Sequence, residues 1–400
     1  MSWTETTTVQ VEDVRLDPCL VGLPLTITHG RASPNNQPDA PVCTFTYLGD
    51  EPPQLGHLVR VQSAYPNRDP GTWLDERFTW VDTGTSWLGS TVESDRFVGR
   101  VSQVTAVEEL GTVVGWQLVC TGVMAELGHR KTVMSRPRET DVVRVSAILA
   151  STGMPYLIRG TDTRELAEDD IDRDTLSALT EICSWTGALL YQRRDGTIIY
   201  GTTYHRDEEP SAVLPCEVLG DGIGWVETTD QIINRVVVKF VRPSGEVQQT
   251  YNDTASQLVW GLQEVEIGTK LWETAADEFG NMILARRAQP KWTLPGTLYT
   301  DWTRNTDVQE RAMLSVDVSD TVLLPISPVP GDVPAPVSPW TVEGWIEVID
   351  STGRYSQLSV TDISRYSARS LRTWDMMRAE SWQHWLDHGS WRDLLVKVGT

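Results

Sequence analysis

Over the first 125 residues, apolar side chains recur at every second position between Gly- and Pro-rich breaks, and no other feature restricts the fold of this 400-residue chain so strongly. Leu25 and Ile27, then Cys43, Phe45 and Tyr47, alternate with Thr26, Thr28, Thr44 and Thr46. Successive side chains on a strand point to opposite faces, so this period marks half-buried strands, with β-branched Thr suited to the outward positions. Phe97, Gly99 and Val101 in RFVGRVSQV and Trp116, Leu118 and Cys120 in WQLVC repeat the pattern, while GDEPPQLG and NRDPGTW supply turns. Short strands between turn signals predict a barrel or sandwich, assigned to residues 1–125.

The period then changes. Thr140 predicts the N-cap of a helix through VVRVSAILAST, with Val142, Val145 and Leu149 on one face and Gly153 ending it. The acidic stretch AEDDIDRD predicts a solvated loop leading into a second helix. That helix has Asp174 as N-cap, a stripe of Leu176, Leu179, Ile182 and Cys183, and Gly187 as its stop. GALLYQRRDGTIIYG predicts two strands joined through Asp195-Gly196. Together these define a small α/β module at 126–215.

Strands return over 216–366. INRVVVKFVRPSGEVQQTY predicts a hairpin turning at Pro243-Ser244-Gly245. An amphipathic helix is predicted over 269–287, carrying Leu271, Ala275, Phe279, Met282 and Ile283, with Pro290 just beyond. Further strands are expected around MLSVDVSDTVLL and in WTVEGWIEVIDSTGRYSQLSVTDI, which turns at Ser351–Gly353; a Pro-rich loop at 324–340 lies between them. Residues 367–400 form a Trp-rich tail in which Trp374, Trp382, Trp385 and Trp391 stand among charged residues. These indoles can pack on their own domain or dock onto another protein; a short tail cannot easily bury four of them alone, which makes them candidate interface residues.

Composition narrows the function. Formal net charge is −21, the reverse of what a protein gripping phosphates needs, although it suits a wall that DNA passes without sticking. Seventeen Trp against five Phe point to contact surfaces as well as cores. Cys19, Cys43, Cys120, Cys183 and Cys216 have no CxxC spacing and read as small core residues in a reducing compartment. The opening MSWTETTTVQ has neither a basic region nor an apolar core, so no secretory leader is expected there, and no run is long enough for a membrane span.

The search for chemistry yields little. Among six histidines only His384 and His388 have i, i+4 spacing, but HWLDH lacks the Glu of HExxH and Gly389 follows at once. Glu165, Glu168, Asp169, Asp170, Asp172 and Asp174 lack the Gly and terminal Glu of a calcium loop. No GxSxG, phosphate-binding Gly-rich loop or nucleophile with a nearby base is evident. A pair of carboxylates for glycoside cleavage stays open, because their separation is spatial. The expectation is a non-enzyme with no catalytic residue, metal or cofactor.

DVRLDPCLVGLPLTITHGRASPNNQPDAPVCTFTYLG resembles the start of minor tail proteins of siphophages infecting actinobacteria. RFVGRV, ICSWTGALLYQRRDGTIIYG, DQIINRVVVKF and the Trp-rich ending fit the same family in the same order, so the resemblance covers most of the chain. Such proteins are similar to the trimeric baseplate hub of contractile phages. The resemblance implies a mainly β (α+β) fold with two tube-like β-barrel domains split by insertions, plus a small α/β module. It also implies a homotrimeric hub at the tail tip of a virion, made in the host cytoplasm, closing the tail tube and forming part of the DNA ejection conduit. The implied partners are further copies of itself, a distal tail or tail tube protein, and other tip or receptor-binding proteins, with genomic DNA passing unbound. Two rival functions remain from the residues: a tail-associated cell-wall hydrolase, or a carbohydrate-binding tail protein whose indoles stack on sugars.

Overall fold

The computed structural model describes residues 7–31, 37–66, 91–203, 205, 212–214, 226–227, 229, 231–290, 292–293, 298–301, 312–324 and 338–362. The N-terminal part gives β1 (Thr7–Val11), β2 (Val14–Arg15), β3 (Val21–Gly30), β4 (Asp39–Tyr47), β5 (Leu58–Pro66), β6 (Thr91–Glu109) and β7 (Thr112–Gly122). The middle gives β8 (Lys131–Arg136), β9 (Glu139–Thr140), α1 (Asp141–Thr152), β10 (Tyr156–Arg159), β11 (Glu165–Leu166), β12 (Asp169–Asp174), α2 (Thr175–Thr186), β13 (Leu189–Gln192) and β14 (Ile198–Gly201). Then come β15 (Ala212–Val213), β16 (Val226–Glu227), β17 (Arg235–Arg242), β18 (Gly245–Asn252), α3 (Thr254–Trp260), β19 (Glu264–Trp272), α4 (Glu273–Arg287) and β20 (Trp292–Thr293). The last strands are β21 (Leu298–Asp301), β22 (Thr321–Leu324), β23 (Ser338–Ile349) and β24 (Arg354–Asp362).

The protein is mainly β, as expected. One 12-stranded sheet runs β15-β22-β23-β3-β4-β7-β6-β5-β1-β2, with β24 on β23 and β21 on β24. The expected pair of closed barrels is absent among the described residues: this sheet is an open path, and the other strands form separate smaller sheets.

Strand β23 joins the two ends of the chain. One of its edges pairs first with β22 and then with β3, while β24 runs along the other. The irregularity between Val342 and Gly344 marks the change of partner. The backbones there approach so closely that a Cβ on Gly344 would lie 2.6 Å from the Arg31 nitrogen, and Gly30 opposite has φ +75°. Glycine is required at both.

The predicted strand faces hold: Leu25, Ile27, Cys43, Phe45, Phe97, Val101, Leu118 and Cys120 are buried in one cluster with Trp340, Trp345, Ile349 and Leu358. A second cluster draws on α1, α2, α4 and the sheets β10-β14-β13 and β18-β17-β19-β11-β9. Helices α1 and α2 begin and end where the sequence predicts. Thr140 Oγ1 accepts from the Val143 amide and Asp174 Oδ1 from that of Ser177, while Gly153 and Gly187 take left-handed conformations at the C-caps. The hairpins at Asp195-Gly196, Pro243-Ser244 and Ser351–Gly353 form as read.

Three local expectations fail. The acidic stretch is a strand, not a loop: β12 pairs with β8 in a register that sets Asp169 opposite Arg136 and Asp174 opposite Lys131, offsetting its charge. The helix expected over 269–287 begins at Glu273, because Thr269 and Leu271 continue β19 and Thr269 donates to the Lys239 carbonyl. In MLSVDVSDTVLL a helical turn at 312–315 precedes a strand confined to Thr321–Leu324. Cys43, Cys120 and Cys183 are buried free thiols, but Cys19 is exposed on the short 3-10 turn Pro18–Leu20. Among the described residues, no helix is long and apolar enough to cross a membrane.

Candidate functional site

Along β23 the buried side chains include Glu343 and Glu347 beside Trp340, Val342, Trp345 and Ile349, so two carboxylates lie inside. Cations from the opposite end of the chain meet them. Arg31, just after β3, donates through Nε to Glu343 Oε2 at 2.7 Å. Arg96 on β6 donates through Nη2 to Glu347 Oε2 at 2.6 Å, and Arg354 on β24 forms an ion pair with the other oxygen of Glu347. Burial alone would raise the Glu347 carboxyl, but Arg354 and Arg96 reverse this and hold it below the usual glutamate range.

His29 stacks on Trp345 with ring centroids 4.3 Å apart, and the Arg96 guanidinium lies 4.5 Å from the centre of the same indole. His29 Nε2 donates to the Arg96 carbonyl at 3.0 Å, which leaves Nδ1 as an acceptor with no hydrogen-bond partner. Burial, opposed by Asp317 and assisted by Arg96, lowers its pKa to about 4, so the ring is neutral in the fold at neutral pH.

A turn at 317–320 connects this junction to the α/β unit. Its backbone is tied to β23 by the Ser319 amide to the Val342 carbonyl and the Val342 amide to the Asp320 carbonyl. Its side chains reach the other way. Asp320 pairs with Arg159 at the end of β10, and Asp317 accepts from the Arg194 amide and the Arg193 guanidinium in the β13–β14 turn. Ser319, at φ +68°, donates to His205 Nε2 at 2.5 Å while His205 Nδ1 donates to the Thr202 carbonyl. This hydroxyl–imidazole pair has the order of groups that activates a serine, and sequence spacing gave no sign of it. Both residues are only 2% exposed, so the pair is closed to a substrate and acts as a tie between two units.

Other polar groups of the α/β unit are likewise bonded to one another. Asp141 Oδ2 accepts from the Tyr200 hydroxyl at 2.6 Å and Oδ1 from the Arg164 amide. Four of the six acids from Glu165 to Asp174 are engaged too: Glu165 with Arg138, Asp169 with Arg173, Asp172 with Lys131, and Asp174 as a helix cap. Among the described residues, no cluster of His, Cys, Asp and Glu has the arrangement of a metal site. His384, His388, the Pro-rich loop between β22 and β23, and the candidate interface residues Trp374, Trp382, Trp385 and Trp391 lie outside the described residues.

Among the described residues, one group of exposed apolar side chains lies on the β6–β7 hairpin. β5 accompanies β6 only as far as Arg100, and β4 accompanies β7 only from Trp116 onward. Beyond that the two strands run alone, and residues 105–114 are all exposed. The turn is Leu110-Gly111, both at positive φ, the geometry that favours Asn-Gly. Leu110 is 108% exposed, with Val107, Val113 and Val114 beside it. A leucine gains nothing for folding there, either by burial or by backbone preference. A second exposed group, Leu258, Val259, Trp260 and Leu262, follows β18 on α3 and just past it. The sequence shows these residues, but with no partner strand to compare, alternation alone could not tell that β6 outruns its neighbours.

No family model matches the sequence, and no curated protein matches it. The fold does have solved counterparts. A 43 kDa tail protein of prophage MuSo2 from Shewanella oneidensis is similar over 90% of this chain and 100% of its own, with TM-score 0.60 and 11% identity. A tail protein from Neisseria meningitidis MC58 is similar over 90% of this chain and 97% of its own, with TM-score 0.60 and 13% identity. The chain therefore shares the fold of these two tail proteins over nine tenths of its length.

Proposed function

We propose that this chain is a structural, non-enzymatic subunit of a phage tail tip, residing in the virion. The observation that carries the reading is the fold shared with two tail proteins across nine tenths of the chain. The finer form of the proposal is a homotrimeric hub that closes the tail tube, anchors receptor-binding proteins and lines part of the DNA path. Three copies could present a threefold face to the tip and still match a six-fold tube. The net charge of −21 suits a lumen that holds no phosphate. The bare β6–β7 hairpin, with Leu110 at its end, offers a neighbouring tail protein an apolar contact. Trp374, Trp382, Trp385 and Trp391 are proposed as a second contact.

Counting this chain against the major tube protein in purified particles tests the reading, together with light scattering on the isolated protein. About three copies per particle and a trimeric mass are expected. A count close to that of the tube protein would make it a tube component and overturn the hub.

A further inference from the structure

Two of the buried cysteines face each other. In the antiparallel pairing of β4 with β7, Cys43 and Cys120 are direct cross-strand partners, and both side chains lie in the long-sheet core with no exposure. Direct partners have Cα atoms about 4.5 or 5.5 Å apart, within the range of roughly 4.4–6.8 Å that a disulfide spans. Their Cβ atoms stand about 4.5–5.5 Å apart, where a disulfide draws them to roughly 3.8 Å. A local shift of about 1 Å between two adjacent strands therefore closes the bond. Both thiols are free in this structure.

We infer that Cys43 and Cys120 form a latent oxidation site, a cross-strand disulfide that closes by exchange with a low-molecular-weight disulfide once the protein leaves a reducing medium. One cysteine thiolate attacks oxidised glutathione, giving a mixed disulfide and releasing one glutathione thiol. The second cysteine then attacks the protein sulfur of that mixed disulfide and releases the other. Two S–H bonds are lost, one S–S bond forms, and the two electrons and two protons leave on two glutathione molecules.

The surroundings set the rate. Burial pushes Cys120 up to about 12 and Cys43 well above its ordinary value, with Cys120 and the Glu347 carboxylate adding to the effect on Cys43. Almost no thiolate exists in the closed sheet, and glutathione cannot reach sulfurs with no exposure. Exchange must pass through an opening of β4 from β7, in which the thiols recover ordinary acidity. The site therefore stays reduced through brief contact with oxidant and closes slowly, faster in mild urea and at higher pH.

The test uses the full chain carrying Cys19→Ser, which removes the exposed thiol. The folded protein is held with oxidised glutathione at pH 8, with and without sub-denaturing urea. It is then quenched in acid, denatured, alkylated and mapped by peptide mass. The expected result is a Cys43–Cys120 peptide pair lighter by two hydrogens, formed faster in urea, with a melting temperature raised by about 5 °C. The further change Cys120→Ser should abolish the linked pair and leave Cys43 as a mixed disulfide with glutathione. Both cysteines recovered fully alkylated after long exposure would overturn the inference. So would stable mixed disulfides on both, or Cys43 linked to a different cysteine.

Discussion

The two cores of this protein are built from opposite kinds of neighbour. All the buried members of the α/β core come from one continuous stretch, Met124 to Leu284. Its buried Asp141 bonds within that stretch, to Tyr200 and to the Arg164 amide. The long-sheet core draws on both ends of the chain, and its charges pair across 312 positions at Arg31–Glu343 and 251 at Arg96–Glu347. In the first, short-range signals such as caps and turns place helices α1 and α2 and the hairpins β13–β14 and β17–β18. In the second, nothing local tells β23 which strand to join, and the buried carboxylates with their arginine partners supply that information. A wrong register would leave a charge buried alone, which costs far more than a mispaired methyl group.

The sharpest way to break this contrast is to remove one charge. Glu347→Gln removes the fully buried carboxylate with which both Arg96 and Arg354 pair. A loss of about 3–5 kcal/mol is expected. Hydrogen exchange should place the loss in β3, β23 and β24 and spare α1 and α2. The paired change Arg31→Met with Glu343→Leu should cost much less than either single change, since it removes both ions of a buried pair and strands neither opposite the other. If the pair cost as much as its two singles summed, the register argument would fail.

This contrast also decides what was legible. In WTVEGWIEV the alternation, read alone, turns Val342, Ile346 and Val348 inward and Glu343 and Glu347 to water. The structure buries Val342 as well as Glu343 and Glu347 and leaves Ile346 and Val348 half-buried, because the strand is irregular between Val342 and Gly344 and the arginines that neutralise the glutamates come mainly from far along the chain. Strand faces near Leu25, Cys43 and Leu118 were legible, since there the apolar set is the buried one. Sheet order was not: the N-terminal strands look self-sufficient in sequence, and their completion by β23 depends on glycine contacts such as Gly30 against Gly344. The His205–Ser319 tie escaped for the same reason, its partners being brought together only by the turn at 317–320.

Acid should separate the cores next. His29 is neutral in the fold with a pKa of about 4, against 6.5 for the free side chain. Between these values the unfolded chain binds a proton that the folded chain refuses. The contribution of His29 is therefore complete above pH 6.5 and is lost as pH falls toward 4, by about 1.4 kcal/mol per pH unit or about 3 kcal/mol in all. His29→Gln should flatten the stability curve over this window, whatever its effect at pH 7. An unchanged slope would show that His29 is not the group responsible.

A smaller effect probes the α/β side. Asp174→Ala removes the side chain that accepts from the Ser177 amide at 2.8 Å and caps α2. The expected cost is about 1 kcal/mol, since a cap supports only its own first turn. Faster amide exchange should be confined to the start of α2, with the long sheet unaffected. Equal acceleration in β3 and β23 would mean that the two cores unfold as one unit, contrary to the contrast drawn above.

The smallest effect on folding is expected at the hairpin, where the long sheet leaves its core. Leu110 is fully exposed at φ +52°, followed by Gly111 at φ +81°. Asparagine tolerates that conformation better than leucine and carries no apolar area into water. Leu110→Asn should therefore leave stability unchanged or raise it by up to about 1 kcal/mol. If the hairpin is a contact element, the same change should lower incorporation of the protein into particles. A residue retained against its own folding preference is explained when a neighbouring protein covers it, and only a gain in stability coupled to a loss in assembly carries that signature. Equal stability with normal particle yield would return Leu110 to the status of an ordinary surface residue and remove the hairpin from the proposed contacts.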